Sequence, residues 1–231
     1  MSENKESTIK KSYKGMAMEG TIARWYAKNT KGNIEQYKNW AKIIAENVEE
    51  RSNVLEIAPR PGYLSIELAK LGDYNVTGLD ISKTFVEIAK NNADQAGVNV
   101  RFIHGDASNI PLDNERFDFI VCTAAFKNFT KPITALNEMY RVLKPNGKAL
   151  IVDLRRDASR DAINDHVEGM GLNWINTLFT KLSFKFMLLR NAYTVKEIKE
   201  LVSHTSFSKC EVPQDPMGLE LWLQKLTNYK I

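Results

Sequence analysis

From residue 53 onward, short β-branched and apolar runs alternate with longer stretches in which apolar residues recur every three or four positions. Continuous apolar runs suit strands covered on both faces, and the helical period suits helices packed by one side, so the alternation predicts βαβ units and a mostly parallel sheet. Strands are expected at Asn53–Ile57, Asn75–Asp80, Val100–His104, Phe117–Thr123 and Lys148–Leu154, with helices at about Tyr63–Leu71, Lys83–Ala96 and Ile133–Leu143 between them. Lys144-Pro-Asn-Gly147 should end the last of these helices, because Pro cannot continue it, with Gly taking the positive φ of the turn into the fifth strand.

Ahead of this core, Tyr37, Trp40, Ile43, Ile44 and Val48 trace the apolar face of an amphipathic helix. Beyond it, Leu154 to Leu189 reads as mostly helical and rich in Met and aromatic residues, a candidate cap. Thr194 and Glu197 have capping-box spacing and open a helix through Val202, and Cys210–Val212 with Leu219–Gln224 suit an antiparallel hairpin at the sheet edge. The expected organisation is therefore an N-terminal helical lid (1–50), a sheet core (51–154), a helical cap inserted after the fifth strand (155–190), and a last helix with edge strands (191–231).

Composition narrows the function. At 231 residues, 43% hydrophobic and 26% charged, the chain has material for one buried core. Its 32 basic and 28 acidic residues are spread along the chain rather than gathered in one arm, which argues against nucleic acid as a partner. No apolar run is long enough for a membrane span, and the lysine-rich N-terminus has no apolar segment behind it, so a cytoplasmic protein, monomeric or homodimeric, is expected. Cys122 and Cys210 lack metal-site spacing and read as reduced thiols; no metal is expected.

The chemistry gathers where strands end. Val54-Leu-Glu-Ile-Ala-Pro-Arg-Pro-Gly62 is an apolar strand followed at once by a tight loop and a helix, a turn that lets backbone amides face a ligand. Asp80 ends the second strand, where a carboxylate can accept both hydroxyl protons of a ribose, while Ser82 is the better cap for the next helix. Asp106 and Ala107 follow the third strand, suited either to an adenine amino group or to a plain turn. The fourth strand delivers Thr123 to Phe129 to the same edge.

Taken in order, LEIAPRPGYLSIELA, VTGLDIS, GDASNIPL, FDFIVC and LNEMYRVLKPNGKALI resemble the class I, Rossmann-like S-adenosylmethionine-dependent methyltransferases, in particular the small-molecule branch similar to enzymes of ubiquinone and menaquinone biosynthesis. The resemblance implies an α/β three-layer sandwich with a seven-stranded, mostly parallel sheet whose last strand is antiparallel. It also implies methyl transfer from S-adenosyl-L-methionine to a small-molecule acceptor through O, N, S or C, leaving S-adenosyl-L-homocysteine. Cofactor contacts would come from Glu56, Ala58, Pro59, Arg60, Gly62, Asp80, Ile81, Asp106, Ala107, Thr123 and Ala124. The chain departs from the family at the loop usually written Gly-x-Gly-x-Gly, where Ala58, Arg60 and Gly62 stand in the three glycine positions. Arg60 either turns to solvent, meets the cofactor carboxylate, or obstructs the site.

On the acceptor side, Trp25, Tyr26 and Phe126 are candidates to face the sulfonium, or are ordinary core aromatics. Lys127 and Asn128 follow the fourth strand; Lys127 suits an anionic or phenolic acceptor, or is a surface lysine. Arg155 or Arg156 either clamps an acidic group on the acceptor or pairs with Asp157 and Asp161. His166 is the best-placed candidate base, and Met170 would line the cap. The competing readings are a non-catalytic cofactor-binding protein altered at Arg60, a nucleic-acid or protein methyltransferase, and a dehydrogenase, for which an acid after the second strand is also suited.

Overall fold

In the computed structural model, which describes residues 14, 18–30, 34–168 and 189–227, the strand side chains alternate between two apolar layers. Val54, Phe119, Val121 and Leu150 join Ala41, Ile44, Leu64 and Leu68 on one side. Leu55, Ile57, Ile120, Cys122 and Ile151 join Leu136, Met139 and Ile198 on the other. Both faces of the sheet are thus covered by helices, which explains why the strands read as continuous apolar runs.

The elements are α1 (Gly20–Thr30), α2 (Ile34–Ala45), β1 (Asn53–Ile57), α3 (Tyr63–Leu71), β2 (Asn75–Asp80), α4 (Lys83–Ala96), β3 (Arg101–His104), β4 (Phe117–Thr123), α5 (Pro132–Val142), β5 (Leu143–Leu154), α6 (Arg160–Glu168), α7 (Val195–Ser203), β6 (Lys209–Glu211) and β7 (Gly218–Gln224). The sheet order is β3-β2-β1-β4-β5-β7-β6. Strands β1 to β5 run parallel, while β7 lies antiparallel to β5 and carries β6 antiparallel at the edge. This is the three-layer, seven-stranded Rossmann-like arrangement that the resemblance implied, with the mostly parallel sheet the pattern predicted. Strand order reverses between β1 and β4, so a crevice opens outside their carboxyl ends, the position where open α/β sheets bind ligands.

Local chemistry sets the element ends. Ser82 caps α4 by accepting from the Phe85 amide at 3.0 Å, and Gly97 at φ 68° closes the helix. The Thr194–Glu197 capping box forms at the start of α7. One expectation is corrected: β5 begins at Leu143, pairing with β4 through a register shift, instead of at Lys148. Asn146, not Gly147, takes the positive φ, at 65°. Gly147 is required by space, since a Cβ there would lie 2.9 Å from the Lys144 carbonyl and 3.1 Å from that of Asp118.

At the amino-terminal side, α1 lies against α4 through the edge-on Tyr26 and Phe85 rings, 5.8 Å apart, and α2 reaches α3 through Tyr37 and Tyr63. After β5 the chain enters α6; residues 169–188, which include Met170 and most of the expected cap, lie outside the described residues. Among the described residues, no helix is long and apolar enough to cross a membrane.

Candidate active-site crevice

At the end of β1, Glu56 is buried and turned toward the first turn of α3, where its carboxylate accepts from the Ser65 amide at 3.0 Å and from the Ser65 hydroxyl. The N-cap of α3 is Gly62, which has no side chain to offer, so Glu56 takes over one of the amides that a helix start leaves unpaired. Burial drives its pKa up to about 7, against the Ser65 hydrogen bonds and the Arg60 charge, which lower it.

Between β1 and α3 the three positions expected to need unusual backbone all have positive φ: Ala58 at 57°, Arg60 at 54° and Gly62 at 80°. Only glycine occupies that region freely. At Gly62 space adds a second requirement, because a Cβ would sit 2.7 Å from the Phe102 ring and 2.9 Å from Ala89. Pro59, within the loop, is buried.

Asp80, at the tip of β2, is held by main-chain donors. Its Oδ1 accepts from the Ser82 amide at 2.8 Å and its Oδ2 from the Arg60 amide at 2.9 Å. Burial raises its pKa to about 6, opposed by those same amides and by the Arg60 charge. Next along the edge, the Ile81 carbonyl accepts from His104 Nε2 at 3.1 Å. Asp106, just past β3, accepts from both the amide and the hydroxyl of Ser108 at 2.8 Å, and Ala107 packs onto the core.

Opposite these acids, the Arg60 side chain crosses the crevice. Nη1 donates to the Tyr26 hydroxyl of α1 at 2.6 Å, and Nη2 donates to the Thr123 carbonyl at 2.9 Å and to its Oγ1 at 3.4 Å. Burial disfavours the charged guanidinium, but Tyr26, Tyr37 and Glu56 outweigh this and raise its pKa. Ala124, which follows Thr123, is exposed and also at positive φ, 50°.

The acceptor-side candidates scatter. Of the aromatics only Tyr26 touches the loop: Trp25 is 67% exposed, and Phe126 is fully buried against Phe129 and Tyr193. Lys127 is not a surface lysine; at 7% side-chain exposure its ammonium lies 2.6 Å from Asp153 and donates to the Ala124 carbonyl at 3.1 Å. Asn128 receives the Lys14 amide on its carbonyl. Arg155 binds both oxygens of Asp157, and Arg156 pairs with Glu197 rather than Asp157 or Asp161. His166 lies on α6, but its side chain is outside the described residues.

Two participants escaped sequence reading. Asp153 opens the charged run at the end of the fifth strand, but nothing in the sequence marked it as the partner of Lys127. Glu19 accepts from the Lys83 amide at 2.9 Å and from the Thr84 amide and hydroxyl, and so fastens the start of α1 to α4.

Carboxylates at the ends of three adjacent strands suit a ligand that offers an ammonium group, vicinal hydroxyls and an exocyclic amine, which is the donor set of S-adenosylmethionine. The guanidinium laid between β1 and β4 could meet the carboxylate of that molecule, but here its donors are already taken by Tyr26 and Thr123. Residues 54–147, which hold all three acids and the loop, match a family model described as a methyltransferase domain. Over this stretch the chain is similar to the methyltransferase domain family, in keeping with the resemblance carried by its strand-end motifs.

Relatives of this chain include a demethylmenaquinone methyltransferase of Staphylococcus epidermidis, 32% identical over 125 residues that make up 52% of each chain. Another, from Staphylococcus haemolyticus, is 28% identical over 184 residues, 78% of this chain and 76% of that one. The chain thus spans about half the length of the S. epidermidis relative. Among solved structures, a Methanococcus maripaludis protein provisionally assigned as an S-adenosyl-L-methionine-dependent methyltransferase is 25% identical with a TM-score of 0.72, covering 94% of this chain and 98% of that one. A SAM-dependent methyltransferase from Aquifex aeolicus, 18% identical with a TM-score of 0.61 over 84% and 98% of the two chains, shares the fold.

Proposed function

We propose that this protein transfers the methyl group of S-adenosylmethionine to a small-molecule acceptor. The observation that carries the reading is the row of Glu56, Asp80 and Asp106 along the carboxyl edge of β1, β2 and β3, with Asp80 already held in one orientation by two backbone amides. In this reading Asp80 receives the ribose hydroxyls, Asp106 the adenine amine and Glu56 the methionine ammonium. When bound, S-adenosylmethionine supplies an electrophilic sulfonium methyl group, so the protein's share is alignment and exclusion of water. The buried Lys127–Asp153 pair serves alignment by fixing the turn after β4, and helix α1, part of the expected lid, serves exclusion.

For the acceptor, the finer reading is a compound of the demethylmenaquinone kind, for which the two relatives are named. Support comes from a cleft of about 370 Å³ lined by Lys14, Arg156, Arg190 and Tyr193 together with Glu197 and Glu200. Arg156 is paired with Glu197, and Lys14 and Arg190 beside the Tyr193 ring suit a phenolic or anionic handle. Tyr193 joins this cleft to the β4 turn through its contact with Phe126, 5.9 Å between ring centres. A larger hollow of about 600 Å³, walled by Asn53, Asn75 and Arg116 among others, opens at the amino ends of β1 and β2 and plays no part. The test is incubation with methyl-labelled S-adenosylmethionine and a panel containing demethylmenaquinone and simple phenols. Label should pass to an aromatic acceptor; none transferred to any member would reject the acceptor class.

A further inference from the structure

At the methionine end of the crevice the Arg60 side chain is already engaged. Arg60 holds a left-handed backbone that L side chains rarely adopt, and its guanidinium fork binds two elements at once: the Tyr26 hydroxyl on α1 and the Thr123 carbonyl at the end of β4. The guanidinium carbon also lies 5.6 Å from the centre of the Tyr26 ring. Helix α1 is fastened a second time at its start, where Glu19 holds the first amides of α4 and the Gly20 amide donates to Thr84 Oγ1 at 3.0 Å. The two fastenings join α1 to α4 and to the β1 loop, the elements that flank Asp80.

We infer that Arg60 is a bolt: it ties α1 to β4 across the crevice, and the amino-acid tail of the cofactor is admitted only when its bonds to Tyr26 and Thr123 break. Opening of α1 and admission of the cofactor are then a single event. The identity of what is admitted rests on the proposed methyl transfer; the tie between α1 and β4 does not. Because only the opened form binds, the observed affinity is the intrinsic one reduced by the opened fraction. A guanidinium that instead received the cofactor carboxylate would act in the opposite direction.

The test compares the parent chain with Arg60→Gly and Tyr26→Phe, by hydrogen exchange over residues 20–30 without ligand and by calorimetric titration with S-adenosylhomocysteine. Glycine accepts φ 54° without steric cost, so the first variant keeps the loop, and its melting temperature verifies folding. Exchange in α1 should quicken about tenfold in Arg60→Gly and less in Tyr26→Phe, and S-adenosylhomocysteine should bind Arg60→Gly about tenfold more tightly, the scale of one charged hydrogen bond no longer broken. Weaker binding by Arg60→Gly would overturn the bolt in favour of a carboxylate ligand. Unchanged protection of α1 would overturn it whatever the titration gave. If protection fell but none of the three proteins bound S-adenosylhomocysteine, the admission role and the methyl-transfer reading would fall together, leaving only a tie between α1 and β4.

Discussion

The two halves of the crevice are held by different means. Around β2 and β3, Asp80 and Asp106 are oriented by nearby backbone amides, those of Ser82, Arg60 and Ser108, which the fold itself fixes. Between β1 and β4 the arrangement hangs on long side chains, with Arg60 reaching Tyr26 and Thr123, and Lys127 reaching Asp153. A carboxylate held by main-chain donors stays in place when its neighbours change. A side-chain link depends on partners far apart in sequence, so a single replacement releases it. On the function proposed above, the first half would recognise the cofactor and the second would rearrange to admit it.

Replacing Lys127 by Met should have the largest effect, since it leaves Asp153 buried without its counter-ion. A loss of about 3–5 kcal/mol in urea unfolding is expected, and a loss under 1 kcal/mol would mean that the β4 turn is held otherwise.

Glu56 stands where the halves meet, and its behaviour with pH sharpens the contrast. Its pKa is raised from 4.5 to about 7 in the fold, so the folded state binds the proton more tightly than the unfolded chain. The resulting stability is fully present below pH 4.5 and is lost as pH rises through 7. The whole effect is on the order of 3 kcal/mol. Asp80, raised from 3.8 to about 6, acts in the same direction over a lower window. Thermal unfolding across this range should show a slope that flattens in Glu56→Gln; an unaltered slope would place the titration elsewhere.

Within the backbone-held half, Asp80→Asn keeps the shape but removes the charge, and should weaken S-adenosylhomocysteine binding about tenfold, or roughly 1.4 kcal/mol. The smallest expected change is in Ser82→Ala, about 1 kcal/mol of stability from the lost cap of α4 with affinity nearly intact. If Ser82→Ala weakened binding as much as Asp80→Asn, the amide scaffold rather than the charge would be setting affinity.

The same division marks what the sequence could reveal. Strands ending at Ile57, Asp80 and Thr123 fell where the apolar runs stop, and Ser82, Thr194 and Glu197 capped where their spacing suggested, because these depend on neighbours within a turn or two. Positive φ at Ala58 and Arg60 was foreshadowed by the glycine pattern of the family. The destination of the Arg60 side chain was not, since Tyr26 lies 34 residues before it and Thr123 lies 63 after. Lys127 likewise resembled a surface lysine because its partner Asp153 is 26 residues away, on another strand. Long-range polar pairing leaves no periodicity to read. At Gly147 the residue was noticed for the wrong reason: the positive φ belongs to Asn146, and only the folded chain shows the carbonyl groups that exclude a side chain.

Binding of a nucleoside along the carboxyl ends of β1, β2 and β3 is tested most directly by the amide hydrogen-exchange footprint of S-adenosylhomocysteine on the parent protein. Exchange should slow in the loop after β1, at residues 80–82 and at residues 105–108, and not at the amino ends of the strands. Slowing confined to the cleft around Tyr193, or absent from all three carboxyl-end segments at saturating ligand, would contradict it.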